Sequence, residues 1–244
     1  MRYGLVIFSF LLGFAGWSAA LAAADNDIGE GYASPTFKEL SQTVVLLGGV
    51  DINKTKVADE YGRLVYCGEY QENFKNDFEW SKIRNQIVSR VLEKKEYFRV
   101  LYEITAIFKL GRYDSRSKSF PLSPDTAMVN VGSMLIFSGK DYKLYCGIGY
   151  GSPAFPSNIT MVLDPPLTLK GFKFPEDGAE KLIARMLEKE NSGRQIYGRI
   201  RLRITDVLKP VTIESAKLRG AITAIDLFLD EDMTQLVSSV PLGK

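Results

Sequence analysis

The sequence predicts an α+β protein with a mixed, largely antiparallel sheet and two principal helices. Three observations carry that class. The stretches Tyr97 to Leu110, Ile196 to Val207 and Leu218 to Leu229 keep the two-residue apolar period of half-buried strands. Two other segments space their apolar residues as helices do: Trp80, Ile83, Ile87, Val88, Val91 and Leu92, and then Ala179, Leu182, Ile183, Met186 and Leu187. Between them, from Ala127 to Phe174, only short β-type runs occur, separated by glycines and prolines.

Taken in order, Phe37 to Val50 reads as a short helix running into a strand, ended by Gly48 and Gly49. Asp51 to Asp59 is turn-like, and Arg63 to Tyr70 reads as a strand on its β-branched and aromatic content. Asn76 is placed to cap the first principal helix, with Glu79 three residues on, and Lys94 and Lys95 suit its C-terminal end. The strand over Tyr97 to Leu110 puts Val100, Tyr102, Ile104, Ala106 and Phe108 on one side. The polar turn 111–118 and the extended restart at Ser119 to Leu122 complete an expected hairpin. In the middle, strands are expected near Ala127 to Val131, Met134 to Phe137, Lys143 to Ile148, Ile159 to Leu163 and Leu167 to Phe174. Pro175 opens the second helix, with Glu176 and Asp177 at the positive end of its dipole.

The two helix-to-strand passages echo each other. Arg90-Val-Leu-Glu-Lys94 parallels Arg185-Met-Leu-Glu-Lys189, and the strands that follow share an Arg-x4-Ile-Thr pattern at Arg99 and Arg199. This suggests a β-α-β-β unit used twice, over 61–122 and 159–229, with Ile104 and Ile204 equivalent. The plainer account is that Leu-Glu-Lys is common at helix ends and that alternating strands look alike.

Residues 1 to 24 read as a signal peptide. Arg2 precedes an apolar run from Leu5 to Trp17, and small residues at Ala20, Ala22 and Ala24 follow. A membrane anchor needs roughly 20 apolar residues, and this run is shorter and contains Gly13 and Gly16. Residues 25–36 form an expected flexible lead, and 37–244 a single α+β domain, in a product expected to be periplasmic or secreted and not an integral membrane protein.

Composition narrows the chemistry. Of the 244 residues, 45% are hydrophobic, enough for a substantial core. The 31 basic and 29 acidic residues nearly cancel, which leaves no long-range field for nucleic acid. The chain has no histidine. Imidazole-activated serine or cysteine nucleophiles and His-ligated metal sites are therefore excluded, while a pair of carboxylates would still suffice for glycoside hydrolysis.

The only two cysteines, Cys67 and Cys146, occur in the matching settings Tyr66-Cys67-Gly68 and Tyr145-Cys146-Gly147. In an exported protein a disulfide is the natural reading, and two buried thiols acting as small hydrophobes are the rival. The Gly147-Ile-Gly-Tyr-Gly151 run lacks the Gly-Lys-Ser/Thr ending of a phosphate loop, so it reads as a loop whose Tyr145 and Tyr150 are candidates for lining a ligand groove. Asp230, Asp232 and Thr234 share the spacing of the first calcium-loop ligands. However, Gln235 replaces the turn glycine and Pro241 the closing glutamate, so Asp230 and Asp232 are only weak metal candidates beside a solvated turn. No cofactor is expected and no catalytic residue stands out.

Gly111-Arg-Tyr-Asp114, Phe120-Pro-Leu122 and, after a C-terminal helix, the strand with Ile204-Thr-Asp206 resemble uncharacterised exported bacterial proteins grouped as a domain of unknown function, over roughly Arg63 to Val237. The resemblance implies a bacterial envelope location and carries no catalytic residues across. The expected role is therefore a non-catalytic binding or accessory one in the envelope, with another envelope protein or a glycan as partner. The alternatives are a carboxylate-based hydrolase acting on envelope glycans and a secreted effector or toxin.

Overall fold

The computed structural model describes residues 31–139, 146, 154–188 and 194–242. The helices are α1 (Phe37–Leu46), α2 (Thr55–Val65), α3 (Cys67–Asn73), α4 (Asp77–Lys94) and α5 (Glu176–Glu188). The strands are β1 (Leu101–Lys109), β2 (Ser119–Pro121), β3 (Met128–Ser138), β4 (Asn158–Leu169), β5 (Gly171–Lys173), β6 (Gln195–Leu208), β7 (Ser215–Phe228) and β8 (Leu236–Pro241). This is the α+β class, but α2 and α3 join the helices expected from the sequence.

The sheet runs β1-β6-β7-β4-β3, with β8 also on β7, and β2 pairs separately with β5. Every pairing is antiparallel except β4 with β7. Alternation decides which face is buried. Tyr102 faces Leu202, Ile104 faces Ile200 and Phe108 faces Ile196, so the even positions of β1 and β6 line the core. The helices α1 and α5 contribute to this core through Leu40 and Val44, and through Ala179, Leu182 and Met186. A second cluster joins α1, α2 and α4 through Phe37, Tyr61, Leu64, Trp80, Ile87 and Val91. Residues from Tyr32 onward form one compact unit.

Local chemistry explains the helix ends. The Glu39 amide donates to Thr36 Oγ1 at 3.2 Å ahead of α1, and the Glu79 amide to Asn76 Oδ1 at 3.3 Å ahead of α4. After α1, Gly48 takes φ +71°, the left-handed conformation that stops a helix at little cost in glycine. The expected strand after α1 does not form.

Several expectations are corrected. Arg63 to Tyr70 is helical, split between α2 and α3 at Tyr66. Its aromatic and β-branched residues belong to a stripe that starts earlier, at Val57, Ala58, Tyr61 and Leu64, and packs on α4, where Gly62 lies against Trp80 and Ile87. The β-α-β-β order is therefore absent from 61–122, whereas the second segment runs β4, β5, α5, β6 and β7, the expected order with the short β5 inserted before the helix. Ile204 is buried and Ile104 half-buried on the same sheet face, but β1 and β6 are antiparallel neighbours and Ile104 pairs with Ile200. Nor do β1 and β2 make a hairpin ladder: the two segments meet only in the isolated antiparallel bridges Leu110–Leu122 and Asp114–Ser119, and β2 pairs with β5 so that Phe120 sits opposite Phe172. The two runs expected at 127–131 and 134–137 are one bulged strand, β3, and Leu92 and Leu187 are exposed rather than part of their helices' buried stripes. The segment 143–148 lies outside the described residues except for Cys146, and so do residues 1–24, over which a signal peptide is expected.

The lead segment is docked from Tyr32 onward. The Glu103 amide donates to Ala33 O at 2.9 Å and the Ala33 amide to Leu101 O at 3.2 Å, so the chain takes up part of the free edge of β1. Tyr32 and Ala33 are both buried.

Gly198 marks one of the tightest approaches in the sheet. A Cβ there would overlap the fully buried Phe108 ring, which is itself held edge-on by Phe172 at 5.2 Å. We expect Gly198→Ala to destabilise the protein by about 1–3 kcal/mol, measured by urea unfolding. An unchanged midpoint would mean that the ring moves freely.

Two buried phenols set the alkaline limit. Burial raises Tyr61 to about 12, against a hydrogen bond from Gln42, and raises Tyr102 further, against its 2.6 Å hydrogen bond with Thr43. Their folded values lie above the unfolded one of about 10. Their contribution to stability is thus fully present below about pH 10 and lost as pH rises through the folded values. Unfolding midpoints should fall above about pH 10, and less so for Tyr102→Phe.

Candidate functional site

Cys67 and Cys146 are joined by a disulfide, with Cα atoms 5.4 Å apart. The bond ties the start of α3 to a residue 79 positions later. Tyr145 and Tyr150 lie outside the described residues. Asp230 is a turn former: it accepts from the Thr234 amide at 3.0 Å, the Thr234 hydroxyl at 2.6 Å and the Gln235 amide at 2.7 Å. With those oxygens directed to the turn between β7 and β8, Asp230 and Asp232 do not come together with a third ligand, and no metal-competent cluster of carboxylates or cysteines occurs among the described residues.

The sheet face opposite the core carries a lattice of charge. On β6, Arg199 stands between Thr105 and Asp226, and Arg201 between Glu103 and Ala224. The ion pairs run diagonally: Arg201 Nη2 lies 2.8 Å from Asp226 Oδ2, and Arg199 Nε lies 3.7 Å from Glu103 Oε1. Ser239 on β8 donates its hydroxyl to Asp226 Oδ1. Arg199 also covers the Phe228 ring at 5.0 Å and Arg201 the Tyr32 ring at 5.3 Å, while the Tyr32 hydroxyl reaches Thr223 at 3.0 Å. Both carboxylates are engaged by guanidinium groups on one sheet face with β6 between them. The arrangement fixes register and anchors the lead segment.

A second feature lies at a fork in the sheet. The parallel pairing of β4 with β7 ends at Leu163 opposite Gly220, where Asp164-Pro165-Pro166 begins. Proline has no amide hydrogen to continue the ladder. Farther along, from Ala224, β8 takes the same edge of β7. A groove of about 210 Å³ opens between β8 and α5, lined by Phe174, Gly178, Lys181, Leu182, Arg185 and Val237. Leu182 and Phe174 are buried and Val237 half-buried, whereas Lys181 and Arg185 are exposed. Neither cation has an ion-pair partner among the described residues. Two like charges at i and i+4 cost a helix roughly 0.2–0.5 kcal/mol, a repulsion that an anion bound between them would relieve.

Neither feature was legible as a site. In the sequence Lys181 and Arg185 look like the solvated face of α5, and β8 carries only a short strand signal. That signal is Leu236-Val-Ser-Ser-Val-Pro241, a short run with valines and a terminal proline that follows an acidic turn.

Among the described residues no helix is long and apolar enough to cross a membrane. No curated protein and no solved structure matches the chain. The model of one family does match, over residues 54–184, which takes in α2 to α4, β1 to β5 and most of α5 and leaves β6 to β8 beyond it. That is just over half of the chain, and the protein belongs to the domain of unknown function family DUF4852.

Proposed function

We propose that this is an exported envelope protein with a non-catalytic binding or accessory role, and that it binds through the groove between α5 and β8. The observation that carries the reading is the pairing of an apolar floor, Phe174, Leu182 and Val237, with two cations, Lys181 and Arg185, that have no ion-pair partner among the described residues. Apolar lining with a few convergent polar groups is what a recognition site needs. Export is supported by the N-terminal pattern of charge, apolar run and small residues, and by the disulfide, which persists in oxidising compartments. The hydrolase reading has less support. Its two carboxylates would have to face each other across a cleft, and Glu103 and Asp226 instead lie along one sheet face beside arginines.

Fractionation of native cells with thiol alkylation tests the compartment. Chain in the periplasm or medium, beginning at Ala23 or Asp25 with both cysteines protected, is the expected result. Full-length chain in the cytosol with free thiols would overturn it. The binding role is tested by chemical crosslinking in the native envelope, where Lys181→Glu/Arg185→Glu should remove adducts that the parent chain forms. Identical adducts in both would move the site elsewhere.

A further inference from the structure

We propose that the groove takes an extended acidic segment of a partner protein, which adds to the sheet as a strand beside β8 and sets alternate carboxylates against Lys181 and Arg185. The inference rests on the binding role proposed above and narrows it to one kind of ligand.

The backbone of β8 supplies the first argument. The Leu242 amide donates to Thr223 O at 3.0 Å, and the register Ala224–Pro241, Ile225–Val240, Asp226–Ser239 and Leu227–Ser238 is regular. Ser238, Val240 and Leu242 therefore direct their amides toward β7. By the same alternation the Ser239 N–H and the carbonyls of Ser239 and Pro241 point the other way, and among the described residues β8 pairs with no strand but β7. That edge offers one donor and two acceptors in strand geometry and stops short of Val237, where the pairing with β7 shifts register. Pro241, with no amide hydrogen, limits the docked stretch to a few residues.

The second argument is charge and spacing. Lys181 and Arg185 are one helical turn apart, about 6 Å along the axis. Side chains on one face of a strand repeat every ~6.8 Å. Acidic residues at alternate positions of an extended segment thus match the two cations beside Val237, and its intervening side chains point away from them, to the opposite face of the sheet. A glycan could satisfy the cations but has no use for a row of strand-spaced backbone groups.

The other long edge is a poorer candidate. The pairing of β3 with β4 shifts register three times, against once between β7 and β8, and Asn130 on β3 has φ +53°. Bulges of this kind blunt an edge against added strands.

The test uses the disulfide-bonded chain, isotope-labelled, with three probes: a hexapeptide with Glu alternating with Val, the same peptide with Lys for Glu, and a short oligosaccharide of uronic acid. The expected result is saturable binding of the Glu peptide, with amide shifts at Ser239 and along Lys181 to Arg185. Lys181→Glu/Arg185→Glu should weaken that binding about tenfold or more with an unchanged thermal midpoint, since both side chains are exposed. Methylating the peptide amides should weaken it comparably, because strand addition depends on backbone hydrogen bonds. Equal binding of the Lys peptide, or indifference to methylation, would overturn the proposal. Shifts at the groove with the oligosaccharide alone would overturn the peptide ligand and leave the binding role standing. No shift at the groove with any probe would overturn both.

Discussion

Replacing both Cys67 and Cys146 by alanine is expected to lower stability by about 4 kcal/mol, the chain-entropy value for closing a loop of this length. For a chain of this size that corresponds to a fall of roughly 10 °C in Tm. Within the folded state the bond matters most at α3. None of the residues of α3 is buried, so its attachment to the rest of the molecule depends less on apolar packing than that of any neighbouring helix. The stacked rings of Tyr70 and Phe74, 4.3 Å apart and edge-on to Trp80, hold its far end, while Cys67 holds its start. Differential scanning calorimetry with and without reductant separates the bond from the side chains. The parent should fall toward the double variant on reduction, and the double variant should not respond. A parent Tm that moves by less than about 2 °C on full reduction would show that the folded loop is held without the bond.

How far the sequence could be read depended on whether a local signal agreed with the tertiary one. Where one periodicity dominated, as in α4, α5, β6 and β7, the elements came out within a few residues, because burial of a single face imposes its spacing on the sequence. The reading failed at Arg63 to Tyr70, where Leu64, Val65, Tyr66 and Tyr70 have strand composition but Leu64 completes a helical stripe begun at Val57. The pairing of β2 with β5 was out of reach for a different reason. Phe120 and Phe172 are 52 positions apart, and nothing local in a three-residue strand identifies its partner. The disulfide was legible from compartment and count. The groove was not, because its cations belong to a helix and its wall to an unrelated strand, and only the fork after Leu163 brings them together.

The largest single-residue effect should come from the charge lattice. Arg201→Met is expected to destabilise the protein by about 3 kcal/mol, the low end for breaking a buried pair, since the Arg201 side chain keeps 27% of its exposure while that of Asp226 keeps 6%. The loss is mostly the cost of the partner left behind. Without the guanidinium, Asp226 retains the Ser239 hydroxyl, and the Tyr32 ring loses the cation above it. Asp226→Leu alone should also destabilise, because it strands the guanidinium instead. Removing both charges together is different. In Arg201→Met/Asp226→Leu no buried charge remains, and exchange of a buried pair for apolar residues of similar volume is often close to neutral. Urea unfolding of the four proteins in a double-mutant cycle should therefore give a double variant more stable than Arg201→Met, with a coupling energy of about 2 kcal/mol. A double variant that loses the sum of the single effects would show that the two side chains act independently. The 2.8 Å pair would then be a contact without mutual stabilisation, and the anchoring of Tyr32 on this face would have to come from its hydrogen bond to Thr223 and the backbone pairing of Ala33 with β1.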